Sequence, residues 1–265
     1  MVKFITAFVI GALVLYALIL LLLYRYQERL IFVPTRLAAD HVFSFARPHR
    51  EVFIDVPNAR LNGLVFEHPN ARGTILYYHG NAGALDTWGD VAQDFAPFPY
   101  HVLVLDYRGY GKSTGTIESE SQLHQDALAV YDYAQAHLNT DEIVIVGRSI
   151  GTGVAARLAA EHQPNILILE TPYYSFPDLV KSIYPVVPSA LIRYRLNTAH
   201  WIESLNMPIH LIHGDEDPLI PFSSSQRLKA INPKVKLHTI TGAVHNNISE
   251  FELYHRALKS ILGSQ

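Results

Sequence analysis

The chain of 265 residues contains no cysteine. Disulfides, thiolate nucleophiles and cysteine-ligated zinc are therefore excluded. Charge is also sparse: Asp, Glu, Lys and Arg make up 17% of the residues, form no long run of one sign and leave a net charge of −3. Without a basic face to neutralise a phosphate backbone, nucleic acid is set aside as a partner. Histidine is plentiful, at 14 residues, but no H-E-x-x-H or comparable cluster occurs. Neither a metal nor an organic cofactor is expected. No internal repeat or low-complexity segment is present, and nothing in the sequence fixes an oligomeric state.

Charge is missing altogether from residues 4–24, which are bracketed by Lys3 and Arg25. A stretch of that length, apolar all round, can cross a bilayer as a helix. A cleavable signal would have a shorter apolar region ending in a small-x-small site. This one ends Leu21-Leu22-Leu23-Tyr24-Arg25-Tyr26, with two tyrosines at interface depth. A single-pass N-terminal anchor is expected, with the lipid bilayer as its partner. Lys3 and the amino terminus are the positive groups before the span and Arg25, Arg29 and Arg36 follow it, a bias that favours a cytoplasmic location for the rest of the chain. The acceptor triplet Asn247-Ile248-Ser249 leans the same way, because a glycan two residues from His245 would crowd that loop in a eukaryotic lumen.

Residues 25–265 are enough for one catalytic domain with a large core. Residues 27–34 are expected to be a short tether. Runs at 51–56 and 61–66 flank Pro57-Asn58-Ala59-Arg60 and predict an antiparallel hairpin. Six short apolar runs follow, at 74–78, 101–105, 142–146, 166–169, 209–212 and 236–240. Helical spacing at 85–96, 122–137, 153–162, 223–230 and 249–262 alternates with them. The fold class is therefore α/β, a mostly parallel eight-stranded sheet flanked by helices. One connection, 171–204, is too long for a plain loop and is rich in proline and aromatics. It is expected to be a lid.

Polar residues just after apolar strands carry the chemistry in such sheets. The pentapeptide Gly147-Arg148-Ser149-Ile150-Gly151 follows one strand and precedes an alanine-rich helix. A serine at the apex of so sharp a turn is lifted clear of the backbone, where a base can reach it. His79-Gly80-Asn81-Ala82-Gly83, Asp106-Tyr107-Arg108-Gly109-Tyr110-Gly111, His213-Gly214-Asp215-Glu216-Asp217 and Gly242-Ala243-Val244-His245 end four other strands. Asp215, Asp217 and Glu170 are all candidates for an acid partner. His79 and His213 read as turn histidines satisfied by backbone, and Asp106 and Arg108 as loop-fixing residues.

Together these motifs resemble the α/β-hydrolase fold from about Gln27 onward, in particular membrane-anchored α/β-hydrolase-domain serine hydrolases of depalmitoylase-like and monoglyceride-lipase-like type. The resemblance implies a triad in the chain order Ser149, Asp217, His245, the HGxxD pattern favouring Asp217 as the acid. It also implies an oxyanion hole made by the backbone N–H groups of Asn81 and Ile150. The expected activity is hydrolysis of a carboxylic ester or thioester through an acyl-enzyme. Acyl lipids or acylated proteins are the expected substrates. A small-ester or peptidase-type hydrolase and a non-catalytic membrane interaction protein of the same fold stand as alternatives.

Overall fold

The computed structural model describes residues 1–263. Eight strands form one sheet: β1 (Arg50–Val56), β2 (Ala59–Phe66), β3 (Gly73–Tyr78), β4 (Tyr100–Leu105), β5 (Ile143–Arg148), β6 (Ile166–Glu170), β7 (Ile209–Gly214) and β8 (Val235–Ile240). Their order across the sheet is β8-β7-β6-β5-β3-β4-β2-β1. All neighbours run parallel except β4 with β2 and β2 with β1. The central strands β3 and β5 are buried at every position. They read as unbroken apolar runs because helices cover both faces. The edge strand β1 instead alternates between exposed and buried residues along its middle, as a strand with one solvated face does. Its turn into β2 places Asn58 at φ 60, a conformation asparagine tolerates.

The helices are α1 (Val2–Arg25), α2 (Gln27–Ile31), α3 (Leu85–Trp88), α4 (Glu120–His137), α5 (Gly151–His162), α6 (Phe176–Ile183), α7 (Thr198–Ile202), α8 (Ser223–Ile231) and α9 (Glu252–Leu262). Leu123, Ala127 and Val130 of α4, Val154 and Leu158 of α5 and Leu228 of α8 pack on one face of the sheet. Leu85 of α3 and Tyr254, Ala257 and Leu258 of α9 pack on the other. Ser119 starts α4, its Oγ accepting from the Gln122 N–H at 3.1 Å, an ordinary N-cap.

Two expectations are corrected. The predicted helix over 85–96 is one α-turn followed by a 3₁₀ stretch, Gly89–Gln93. The Phe45 ring lies where a side chain on Gly89 would stand, so a residue with no Cβ lets the chain pass close beneath it. Residues 27–34 are not a free tether. Ile31 and Phe32 are buried in the core, and Val33–Pro34 pairs in parallel with Ala82–Gly83. Gln27 donates to the Leu191 carbonyl at 2.8 Å and accepts from the Arg193 N–H at 2.9 Å.

A buried imidazole pair makes stability depend on pH. His210 Nδ1 and His238 Nε2 lie 2.9 Å apart on β7 and β8, so at least one ring must be neutral for a hydrogen bond to form. Burial, with the nearby His238 and Lys236, pushes His210 down to about 4; burial and Lys236 lower His238 as well. Between about pH 6.5 and 4 the unfolded chain then binds more protons than the native one, so stability falls as pH drops through that window. The His210 contribution amounts to about 2–3 kcal/mol. Thermal unfolding from pH 7 to 4.5 is expected to show this loss, and His210→Gln to flatten it. A slope unaltered in the variant would refute the assignment.

Candidate active site

Strand β5 ends at Arg148 and α5 begins at Gly151, leaving two residues for the turn. Ser149 takes φ 52, a conformation that costs a non-glycine residue about 1–2 kcal/mol and is retained where the surroundings enforce it. They do so here. The Ser149 N–H donates to the Glu170 carbonyl at 3.0 Å, and Thr152 Oγ1 donates to the Ser149 carbonyl at 2.7 Å. A Cβ on Gly151 would strike the carbonyls of Tyr78 and His79, and one on Gly147 would come within 2.7 Å of Ala155 Cβ. Strand and helix can cross this closely only through glycine.

The loops after β7 and β8 bring the partners. Ser149 Oγ lies 3.0 Å from His245 Nε2, and His245 Nδ1 lies 2.7 Å from Asp217 Oδ2. Because Asp217 offers only acceptors, Nδ1 carries the proton and Nε2 is free to accept from the serine hydroxyl. Asp217 Oδ1 accepts the N–H groups of Leu219 and Ile220 at 2.8 and 2.9 Å. Burial alone would raise the Asp217 pKa. Hydrogen bonds from His213, His245 and the Ile220 N–H outweigh it and hold the carboxyl well below the usual range.

His213 is therefore not the backbone-satisfied turn histidine expected from the sequence. Its Nε2 faces Asp217 Oδ2 at 3.1 Å and the Ile220 carbonyl at 3.2 Å, both acceptors, so Nε2 bears a proton. Nδ1 then accepts from Ser225 Oγ at 2.7 Å. His213 fixes the acid from behind. The other acid candidates lie elsewhere. Asp215 is exposed and accepts the Gly242 N–H at 2.7 Å, whereas Glu170 is buried between the hydroxyls of Tyr77 and Tyr254, at 2.9 and 2.7 Å.

Asn81 and Ile150 flank the serine on the cavity wall. The Asn81 carbonyl accepts from the Val33 N–H at 2.8 Å and from the Tyr110 hydroxyl at 2.7 Å, and its side chain donates to the Ile31 carbonyl at 3.0 Å. Among the described residues, neither the N–H of Asn81 nor that of Ile150 has a protein acceptor. Two donors so placed can receive an anionic oxygen. Beneath them the His79 ring stacks on Trp88 at 5.3 Å with Nδ1 2.7 Å from the Gly80 carbonyl. Arg108 grips Asp126 through two bonds of 2.6 and 2.8 Å, a loop-fixing role as expected.

Sequence reasoning gave Arg148 no role. Its guanidinium donates to the carbonyls of His245 and Asn246 at 3.4 and 3.1 Å and lies 5.7 Å from the Trp88 ring centre. It holds the histidine loop against β5, and its place inside the serine motif was the only hint. Above the serine lies a cavity of about 710 Å³, bounded mainly by apolar side chains of α1, α2, α6 and the segment after α6. That volume suits an organic ligand of moderate size. Among the described residues no group of His, Asp and Glu could hold a metal ion.

A serine hydrogen-bonded to a histidine, itself bonded to a carboxylate, at the carboxyl edge of a mostly parallel sheet is the arrangement of a class of protein, the serine hydrolases of the α/β type. Comparison with known proteins agrees. The family model described as "Serine aminopeptidase, S33" matches residues 69–200. The protein bem46 of Schizosaccharomyces pombe is 30% identical over 75% of this chain and 70% of its own length. The lysophosphatidylserine lipase ABHD12 of Macaca fascicularis is also 30% identical, over 73% of this chain, which spans only 56% of that relative. The solved esterase Pf2001 of Pyrococcus furiosus superposes with a TM-score of 0.69 at 21% identity, covering 88% of this chain and 95% of that one. The chain belongs to the α/β-hydrolase family of serine hydrolases.

Proposed function

We propose that this protein is a membrane-anchored hydrolase of acyl esters or thioesters, with Ser149 as nucleophile, His245 as general base and acid, and Asp217 as the orienting carboxylate. The observation that carries this reading is the hydrogen-bonded chain from Ser149 through His245 to Asp217, set at the floor of an apolar cavity. Ser149 Oγ attacks the acyl carbonyl as His245 Nε2 takes its proton, and the N–H groups of Asn81 and Ile150 receive the oxyanion. Collapse expels the alcohol or thiol with the proton held by His245. Water, activated by the same histidine, then releases the acid. Asp217 stays ionised throughout.

Several features support an acyl substrate over a peptide, despite the peptidase name of the matching family model. Among the described residues no carboxylate lines the cavity, and Arg148 is its only full cation. A free amino terminus would have no counter-charge there. One of the relatives acts on lysophosphatidylserine by name, and a single acyl chain suits an apolar cavity of this size. Helix α1 supports the anchor: its 24 residues have a mean hydropathy of 2.8 in the most apolar window, and none is buried. The segment 171–204, with α6 and α7, stands as the lid. The charge bias around α1 supports a cytoplasmic catalytic domain.

A fluorophosphonate probe is expected to label the native protein and not Ser149→Ala. Labelling equal in both removes Ser149 from the role. On esters of graded length, each added methylene buried in the cavity contributes about 0.8 kcal/mol, close to fourfold per carbon until the cavity fills. Activity highest on acetyl esters would sink the acyl-lipid reading while leaving the nucleophile in place.

A further inference from the structure

Every residue of α1 is exposed except Leu20 and Leu23, which are partly covered. These two, three residues apart and so on one face of the helix, also line the cavity above Ser149, with Tyr24 beside them. The facing wall is α6, through Phe176, Leu179, Val180 and Ile183. The cavity above Ser149 is thus bounded on one side by the very helix read as the membrane anchor.

The segment after α6 runs along that helix. The Tyr16 hydroxyl donates to the Val186 carbonyl at 2.6 Å. Tyr16 lies nine residues before Arg25, about 13 Å at ~1.5 Å per residue, against roughly 15 Å for half a hydrocarbon core. The level of the membrane surface is marked at the other end of the segment. Arg193 pairs with Glu28 and lies 5.4 Å from the Tyr24 ring centre, beside Arg25. Between Lys181 and Arg193 the chain has no charge. Three of its apolar residues are well exposed, Ile183, Tyr184 and Val186 at 48, 60 and 70%, while Val187, Leu191 and Ile192 are partly or fully covered and line the cavity. In water such a run is unfavourable, and in a leaflet it is at home. A backbone carbonyl held at that depth needs a donor. Tyr16, in the middle of the apolar span, supplies one to Val186.

We propose that residues 182–192 are inserted in the bilayer leaflet beside α1, and that α1 is a wall of the acyl-binding site. The cavity then opens sideways into hydrocarbon between α1 and α6. The acyl chain of a lipid reaches Ser149 from the leaflet without passing through water. This rests on the reading of α1 as the anchor and of Ser149 as the nucleophile. It assigns the anchor a part in selecting substrate, beyond holding the enzyme at a surface.

Because the chain has no cysteine, single cysteines report position cleanly. The full chain is reconstituted in phosphatidylcholine nanodiscs with a nitroxide at Val186→Cys, at Leu18→Cys on α1 and at Lys234→Cys beside β8. The Val186 label is expected to collide with oxygen rather than with a water-soluble nickel chelate, as the Leu18 label does. A nickel response like that of Lys234 overturns insertion. This reading needs no turnover, so it stands or falls apart from the role of Ser149. For the wall, Leu20→Trp and Leu23→Trp are expected to lower the ratio of long-chain to short-chain ester hydrolysis at least fivefold. Leu21→Trp, on the outward face, is expected to keep the wild-type ratio. A ratio unchanged in Leu20→Trp and Leu23→Trp overturns the wall, as does an equal fall in Leu21→Trp.

Discussion

Replacement of Ser149 by alanine is expected to lower kcat/KM on an acyl ester by on the order of 10⁴-fold or more, and His245→Ala by a comparable factor. The reason is geometric. The hydroxyl proton has one outlet, His245 Nε2 at 3.0 Å, and without that acceptor the hydroxyl is a weak nucleophile at neutral pH. Either loss removes the same step, so the double variant is expected to be little worse than the worse single one. Losses that multiply would show that the two side chains act independently, and the base would have to be sought elsewhere. Far-UV circular dichroism and thermal unfolding should stay close to wild type. Ser149→Ala leaves in place the backbone bonds to Glu170 and Thr152 that enforce the positive φ of the turn.

The strands were legible because burial leaves a local trace. Apolar runs such as Ile143 to Val146 and Ile209 to Ile212 each end where polar residues begin, and those ends became the carboxyl edge on which Ser149, Asp217 and His245 meet. The turn at Ser149 was legible for a similar reason, since Gly147 and Gly151 are dictated by contacts within a few residues of the serine or with the adjacent strand. What escaped notice depends on partners far away in the chain. Ile31 and Phe32 look like the end of a tether until Asn81, fifty residues on, receives the Val33 N–H. His213 is the exception: its partners Ile220 and Ser225 lie only seven and twelve residues on, but a loop and the first turn of α8 bring them back with no periodicity to mark it. The contact of Tyr16 with Val186 spans 170 residues, and no periodicity in either segment announces it.

Asp217→Asn is expected to cost about 10⁴-fold in kcat, by analogy with amide replacement of the orienting acid in serine proteases. Here the cause can be traced atom by atom. Asp217 Oδ1 accepts two backbone N–H groups, from Leu219 and Ile220, so an asparagine must keep its carbonyl oxygen on that side. Its amide nitrogen then replaces Oδ2, where His213 Nε2 and His245 Nδ1 both donate. Donors would face donors. His245 can relieve the conflict only by moving its proton to Nε2, which leaves Ser149 without an acceptor. Asp215→Asn should change kcat by less than tenfold, because its amide oxygen can still accept the Gly242 N–H. Glu170→Gln should act on stability instead: it weakens one of two buried bonds from Tyr77 and Tyr254, at a cost of about 1–3 kcal/mol. Single-turnover rates and thermal unfolding on the three purified variants separate these outcomes. Equal kcat losses at Asp215 and Asp217 would dissolve the assignment of the acid. A loss confined to Glu170, with its melting temperature unchanged, would move the orienting carboxylate to the end of β6.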